Sequence, residues 1–513
     1  MLRDLRNTKR LIGIALVLAR EDALFIFEEL QLSSWIVAFG KLFARRSPRR
    51  KGTRLAAALK RLGPAFIKLG QALSTRSDLI GEAMADDLAM LRDKLPPFPA
   101  SIARAIISEE LHASVESLFK EFSDTPIAAA SIAQVHKAIT KEGRTVAIKI
   151  LRPHIEKAFA RDLDLFMWVA EFIEKRAANA QRIKPIAVVR TLQESVFFEL
   201  DLRFEGAAAK ELADNAKRNA TGMHVPEIDW SRTSRRVLTT EWIDGIPIND
   251  IEAIKHHGFN PDTLLAKAAK SLFAQVFVDG FFHADLHPGN LFVDTNGDIA
   301  VVDFGIMGRL DWNSRIYMAE ILRGFLTQDY RHVAEMHFKA GYVPAGKSIE
   351  AFTQACMAVA QPIVGRPLNE ISVAKLLGQM FRIAAEFEME TQPQLLLLQK
   401  TMMVTEGVGR MLNPNLNMWE LARPMIESWA SENFGAQAKL KEAGKKGADM
   451  LRRFPEMLDY VEHTLKILGT GQGIKLHPKS IEALHQGQRH VNKTWPALGW
   501  VCFAAALMYM ILS

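Results

Sequence analysis

Between His283 and Gly305 the chain reads His-Ala-Asp-Leu-His-Pro-Gly-Asn, a short apolar hairpin, then Asp-Phe-Gly. No other stretch constrains the fold as strongly. Three polar side chains, Asp285, Asn290 and Asp303, follow in order, spaced by a tight loop and two strands. Leu291-Phe292-Val293 and Ile299-Ala300-Val301-Val302 are the expected strands. Asn296-Gly297 between them predicts a type I′ turn, in which both central residues need positive φ. Such a hairpin would hold Asn290 and Asp303 as two oxygen ligands for one Mg2+–nucleotide. Asp285 would be the base, or would orient the nucleophile. Each fragment alone is uninformative; the order and spacing together are specific.

A competing reading takes His283 and His287, four apart around an Asp, as a metal pair. Pro288 and Gly289 break the helix that such a pair needs, so His283 is expected instead to pack and to shape the loop. The loop and the Asp-Phe-Gly resemble the H-R-D-L-x-x-x-N and D-F-G segments of kinases. The other half of a nucleotide site should then lie upstream. There Thr145-Val146-Ala147-Ile148-Lys149-Ile150-Leu151 is a β-branched run resembling V-A-I-K, preceded by a second strand, Val135 to Ile139, across a turn at Gly143. Lys149 would meet the α- and β-phosphates; a solvent-facing edge-strand lysine is the plainer alternative. Where kinases have a glycine-rich flap, this chain has Pro126-Ile127-Ala128-Ala129-Ala130-Ser131. Alanine does not enter the positive-φ region readily, so this flap must be stiffer and differently shaped.

A glutamate partner for Lys149 is sought in the charged helical stretch Glu194 to Glu205, which holds Glu199, Asp201 and Glu205. Glu199 and Glu205 are six apart and off one helical face, so they could serve two partners. Upstream, Lys68 and Gln71 project from one side of a helix, where a solvated face is the plainer reading.

At these residues the chain resembles the UbiB family of atypical kinases. Lys68-Leu69-Gly70-Gln71 is similar to its K-x-G-Q signature, Ala128-Ala129-Ala130-Ser131 to its alanine-rich loop, and Glu199-Leu200-Asp201 to its E-x-D motif. The resemblance runs from about residue 10 to 310 with all motifs in order, and more loosely beyond. It implies an α+β, atypical kinase-like two-lobed fold with extra N-terminal helices. It implies that Glu205 partners Lys149, and that Lys68 and Gln71 fold over the nucleotide pocket to engage Glu199 and Asp201. It also implies ATP and Mg2+ as cofactors, a place in ubiquinone biosynthesis, ATPase activity in preference to protein phosphorylation, and association with quinone-pathway proteins, membranes and lipids. The sequence agrees that a protein substrate is not favoured. After Gly305 the chain passes within a few residues into the helical pattern from Trp312, without room for an activation loop and with no A-P-E after it.

At 513 residues the chain is too long for one core. Two cysteines, Cys356 and Cys502, have no metal-ligand spacing and predict no disulfide. The net charge of +7 is uneven. From Lys41 to Arg61 the run Arg45, Arg46, Arg49, Arg50, Lys51, Arg54 and Lys60 contains no acid. Without aromatic interleaving or a binding motif it does not read as a nucleic-acid patch. A solvated linker is one alternative; attraction to an anionic leaflet is preferred because of the C-terminus. There Thr494 to Ser513 carries no charge, and about twenty helical residues span roughly one hydrocarbon core. Trp495 and Trp500 would sit at the interface and Arg489 and Lys493 outside it, keeping the preceding domain cytoplasmic at the inner membrane. Pro496 and Gly499 shorten the apolar run, so a packed helix is the alternative. A single span, where many bacterial relatives carry two, leaves open a bilayer crossing or assembly with a second copy as a homodimer. Leu11 to Leu18 is too short, and too soon followed by charge, for an export signal.

The expected organisation is a basic helical segment (1–62), a helical extension with K-x-G-Q (63–125), an N-lobe (126–245), a mostly helical C-lobe (246–435), a basic amphipathic linker (436–493) and the anchor (494–513). The N-lobe would end at the strand Val237 to Trp242, a hinge where backbone groups of Glu241 and Trp242 would meet adenine. Two other functions stay in view: a soluble phosphotransferase of the aminoglycoside or choline kinase type, and a nucleotide-switched scaffold without turnover.

Overall fold

A computed structural model describes residues 2–25, 48–74, 80–89, 91, 95–176, 185–361, 383–384, 386–389 and 393–415, with isolated positions from 421 to 433. Two compact units, Met1–Ser431 and Glu432–Ser513, divide the chain. The expected linker and the 494–513 anchor lie outside the described residues. Among the described residues no helix is long and apolar enough to cross a membrane.

The small lobe is an antiparallel sheet. Strands β1 (Phe119–Phe122), β3 (Ala133–Thr140), β4 (Thr145–Leu151) and β6 (Val237–Glu241) lie in the order β1-β3-β4-β6, and the short β2 (Ala128–Ala129) pairs with β3. Residues alternate sides along a strand, and β4 shows what that does here. Val146, Ile148 and Ile150 enter a core with Phe98, Ile106, Ile107 and Val237, which leaves Lys149 to the opposite face. The β3–β4 turn takes Gly143 at φ 88°, as a positive-φ position requires.

Around the sheet run α1 (Leu2–Arg20), α2 (Lys51–Leu62), α3 (Pro64–Ser74), α4 (Glu82–Ala89), α5 (Ala100–Leu111), α6 (Ile155–Arg176), α7 (Pro185–Glu199) and α8 (Leu202–Arg218). The helical stretch expected from Glu194 to Glu205 is two helices. Asp201 breaks it, its carboxylate accepting from the Arg203 amide as the N-cap of α8. Helix α1 is docked on α6: Arg10 meets Asp162 at 3.1 Å, and Arg3 and Arg6 meet Asp164 at 2.9 and 2.6 Å. Within the basic run, Arg50 faces Asp87, Arg54 faces Asp22, and Arg61 faces Glu21 at 2.6 Å. Part of the charge expected to face a leaflet is therefore matched by acids distant in sequence.

Apart from Met223–His224, the large lobe follows β6 in the chain. Strands β5 (Met223–His224), β7 (Gly245–Pro247), β9 (Leu291–Asp294) and β10 (Ile299–Val301) form a sheet in the order β5-β10-β9-β7, and β8 (Phe281–His283) pairs with β11 (Met307–Arg309). Helices α9 (Ile251–His256), α10 (Pro261–Phe273), α11 (Trp312–Leu326), α12 (Tyr330–Lys339), α13 (Ile349–Ala360) and α14 (Pro393–Leu412) complete it. Helix α11 begins one residue after Asp311, its N-cap, so the segment after Asp-Phe-Gly is as short as expected. Cys356 is buried in the helical core, and burial pushes its thiol up to about 12.

Candidate active site

The β9–β10 hairpin forms where expected but with different turn chemistry. Gly297 has φ 72°, whereas Asn296 is not among the positive-φ residues. The Gly297 amide donates to the Asp294 carbonyl at 3.0 Å, and the Asp294 amide donates to the Asp298 carbonyl at 3.0 Å. This is a three-residue loop, a type I turn closed by a left-handed glycine, in place of type I′. Asp294 selects it: its Oδ1 accepts from the amides of Asn296 and Asp298, both at 2.9 Å.

The hairpin fixes the catalytic-type loop. The Val302 amide donates to the Asn290 carbonyl at 3.0 Å, tying the loop to the residue before Asp303. Asn290 is buried and its Nδ2 donates to the Asp285 carbonyl at 3.1 Å. His283 is fully buried; its Nδ1 accepts from the Asp285 amide at 3.1 Å, so its Nε2 carries the proton given to the Asp303 carbonyl at 2.8 Å. Burial holds its pKa below the ordinary 6.5, in keeping with that neutral tautomer. With both nitrogens engaged, His283 shapes the loop and is no metal ligand. Asp303 itself sits at φ 65°, a left-handed conformation that Asp tolerates better than most residues. Strain held at such a position is a recurrent mark of functional sites.

Lys149 joins the two lobes. Its Nζ donates to Glu205 Oε1 at 2.7 Å and to Asp303 Oδ1 at 3.0 Å. Burial works against the ammonium, but the carboxylates of Asp303 and Glu205 outweigh it and hold its pKa above the ordinary range. The Lys149 charge in turn holds Asp303 well below the usual carboxylate range, with Lys68 adding to the effect. Asp303 keeps 51% side-chain exposure, so one side of its carboxylate is open to a ligand. Glu205 is buried, and that burial raises its pKa against the pull of Lys149.

The K-x-G-Q helix reaches the same place. Lys68 Nζ meets Glu199 Oε2 at 2.8 Å, while Gln71 Nε2 donates to the Leu91 carbonyl at 3.4 Å. Asp201 is bound by Arg203, whose Nε and Nη2 donate at 2.9 and 2.6 Å. The expected meeting with the E-x-D acids is therefore seen for Lys68 and Glu199, whereas Asp201 serves as a helix cap. Gly70 permits the close packing of this helix, since a Cβ there would lie 2.4 Å from Leu91 and 2.7 Å from Leu59.

The alanine-rich segment is extended. Ala128 and Ala129 pair with Val135 and Gln134, and the Ala130 carbonyl accepts from Arg152 Nε at 2.9 Å. A pinned strand replaces the pliant flap that glycines would give. Ser131 is fully buried and its Oγ has no hydrogen-bond partner among the described residues. At the hinge, the Glu241 amide donates to the Glu227 carbonyl at 2.8 Å and the Trp242 amide to the Thr145 carbonyl at 3.2 Å. Both amides expected to meet adenine therefore have protein acceptors. Glu241 also faces His224 Nε2 at 3.3 Å, while His224 Nδ1 faces Asp294 at 2.8 Å.

One partner escaped the sequence reading. Lys400 of α14 donates to Asp285 Oδ1 at 2.8 Å. The neighbouring threonines Thr401 and Thr405, both buried and four apart, were its available signal: polar residues on the buried face of the helix.

Residues 90–337 match the ABC1 atypical kinase-like domain, and residues 356–417 match the UbiB helical domain. A "Probable protein kinase UbiB" from Marinobacter nauticus is 40% identical over 450 residues, covering 87% of this chain and 82% of the relative. Another protein of that name, from Aeromonas salmonicida, is 41% identical over 424 residues, with 81% and 77% covered. A solved complex of Rv3197 with erythromycin, from Mycobacterium tuberculosis, is 25% identical and covers 72% of this chain and 92% of that one, with a TM-score of 0.48.

Proposed function

This chain belongs to the UbiB family of atypical kinases, which implies ubiquinone biosynthesis, and from that premise we propose that it binds Mg-ATP and hydrolyses it at a membrane surface without using a protein acceptor. One observation carries the reading: a lysine ammonium, largely enclosed, stands between Glu205 and Asp303, beside the loop that bears Asp285 and Asn290. This set suits a magnesium nucleotide. Asp303, whose carboxylate is half exposed, and Asn290 offer oxygen ligands of the kind Mg2+ takes, the alanine-rich segment would lie over the phosphates, and Lys149 would hold the α- and β-phosphates. When bound, the metal would neutralise charge on the phosphate oxygens.

The chain's own residues would do the rest. Glu205 keeps Lys149 charged and aimed, as its 2.7 Å contact suggests. Asp285, pinned by His283 and Asn290, would accept the proton of the attacking water. The short run from Gly305 to α11 supports water as acceptor, because a peptide would find no activation segment to lie on. Lipid coupling draws on the family, on the apolar 494–513 segment, and on Phe197, Phe198 and Phe204. These three exposed rings pack on one another beside Glu199 and Asp201. Anionic lipids, quinone precursors and quinone-biosynthesis proteins are the proposed partners, at the cytoplasmic side of the inner membrane.

The test is phosphate release from ATP by the full chain, with and without anionic liposomes, beside Asp303→Asn. Turnover that rises with lipid and disappears in the variant is expected. Magnesium-dependent ATP binding without turnover in any lipid would favour the scaffold instead.

A further inference from the structure

Asp285 is held at three points, and they differ in kind. His283 receives its amide hydrogen and Asn290 donates to its carbonyl, so the backbone is fixed from within the loop. The carboxylate is held from elsewhere. Lys400, 115 residues downstream on α14, places its Nζ 2.8 Å from Oδ1. His287 Nε2 stands 3.9 Å from Oδ2, beyond hydrogen-bond reach, and its Nδ1 accepts from the Gly289 amide.

Helix α14 is seated firmly enough to act as a support. Thr401 Oγ1 lies 3.4 Å from the His283 carbonyl and 2.9 Å from the Leu397 carbonyl of its own helix, and Thr401, Thr405, Val408 and Leu412 are buried. The Lys400–Asp285 pair itself is open, with side-chain exposures of 43% and 28%. Exposed ion pairs contribute little to stability. Orientation of a base, by contrast, matters greatly to proton transfer.

We infer that Lys400 is a positioning residue for Asp285, so that α14, far downstream of the catalytic-type loop in the large lobe, completes the active site. The ammonium binds Oδ1 and fixes the carboxylate rotamer, which leaves Oδ2 to take the proton. Anything that displaces α14 would uncouple Asp285 without touching the nucleotide contacts of Lys149 and Asp303. The inference rests on the hydrolysis reading for its kinetic consequence alone.

The experiment uses the full chain in detergent as wild type, Lys400→Met and Lys400→Arg. Carbodiimide-activated coupling of glycine ethyl ester, read by mass spectrometry, reports how accessible the Asp285 carboxylate is, whether or not ATP turns over. Labelling of Asp285 should rise severalfold in Lys400→Met and return close to wild type in Lys400→Arg. In phosphate release, Lys400→Met should lower kcat by about tenfold or more while KM for ATP stays within about twofold, as expected for a group acting on the base and not on nucleotide binding. Unchanged Asp285 labelling in Lys400→Met, or an equal loss of kcat in Lys400→Arg, would overturn the inference. A wild-type chain that binds ATP but never turns it over defeats the hydrolysis reading, and the labelling still decides the pair.

Discussion

Two lysines face two glutamates in this molecule with nearly the same geometry: Lys149 with Glu205 at 2.7 Å, and Lys68 with Glu199 at 2.8 Å. Their supports differ. Lys149 is set by sheet register, opposite Leu238 on one side and Val135 on the other, and shares its charge with Asp303. Lys68 arrives on α3, a helix of the N-terminal extension, held by packing such as Phe66 against Phe166 at 4.9 Å. A strand cannot shift by one residue without turning every side chain to the other face. A docked helix can lift as a body. The first pair is therefore a fixed part of the pocket, and the second a contact that can open.

The largest effect should come from the fixed pair. Lys149→Met should lower ATP hydrolysis by about 100-fold or more, comparable to losing a charge that stabilises the transferred phosphoryl, and Mg-ATP affinity measured by titration should fall with it. Retained affinity and turnover would mean that Lys149 and Lys68 are equivalent structural pairs.

Next in size is the movable pair. Lys68→Met leaves the Glu199 carboxylate buried without its cation, which costs about 3–5 kcal/mol in comparable pairs. Urea unfolding should show the loss, and hydrogen exchange in α3 should rise while exchange in β4 stays unchanged. Adding Glu199→Leu should restore most of the stability, since the stranded charge is then gone. Failure of that rescue would show that Lys68 holds the extension by something other than this pair.

The smallest effect is expected at the hinge, where His224 spans Glu241 of the small-lobe sheet and Asp294 of the large one. Burial opposes its charge, but hydrogen bonds to Asp294 and Glu241 win and raise its pKa above the ordinary 6.5. A group raised on folding contributes stability that is fully present below its unfolded pKa and lost as pH rises through the folded one. Stability should thus fall from about pH 6.5 upward, and His224→Gln should flatten that slope in denaturation curves. An unchanged slope would remove His224 from the hinge account.

What the sequence disclosed follows the range of the interactions. The β9–β10 hairpin, the β3–β4 pair and the loop-shaping role of His283 were legible because strand periodicity and turn residues act over a few positions. Type I′ was the wrong turn, since the Asp294 carboxylate offered two amides a partner and so favoured a three-residue loop. The break between α7 and α8 was missed because Asp201 reads equally as a helical residue and as a cap. Docking of α1 on Asp162 and Asp164 leaves no local trace, and that of Lys400 on Asp285 leaves only the neighbouring Thr401 and Thr405: the partners are more than a hundred residues apart. The K-x-G-Q and E-x-D contacts were legible through family resemblance alone.

The central claim is that this pocket passes the γ-phosphoryl group of ATP to water. The most direct test is the fate of that group when the full chain, in anionic liposomes, is incubated with γ-labelled ATP. The prediction is label in inorganic phosphate, with none on the protein, lipid or added pathway proteins, and none released by Asp303→Asn. Stoichiometric label on a protein or lipid, lost in the same variant, would contradict it.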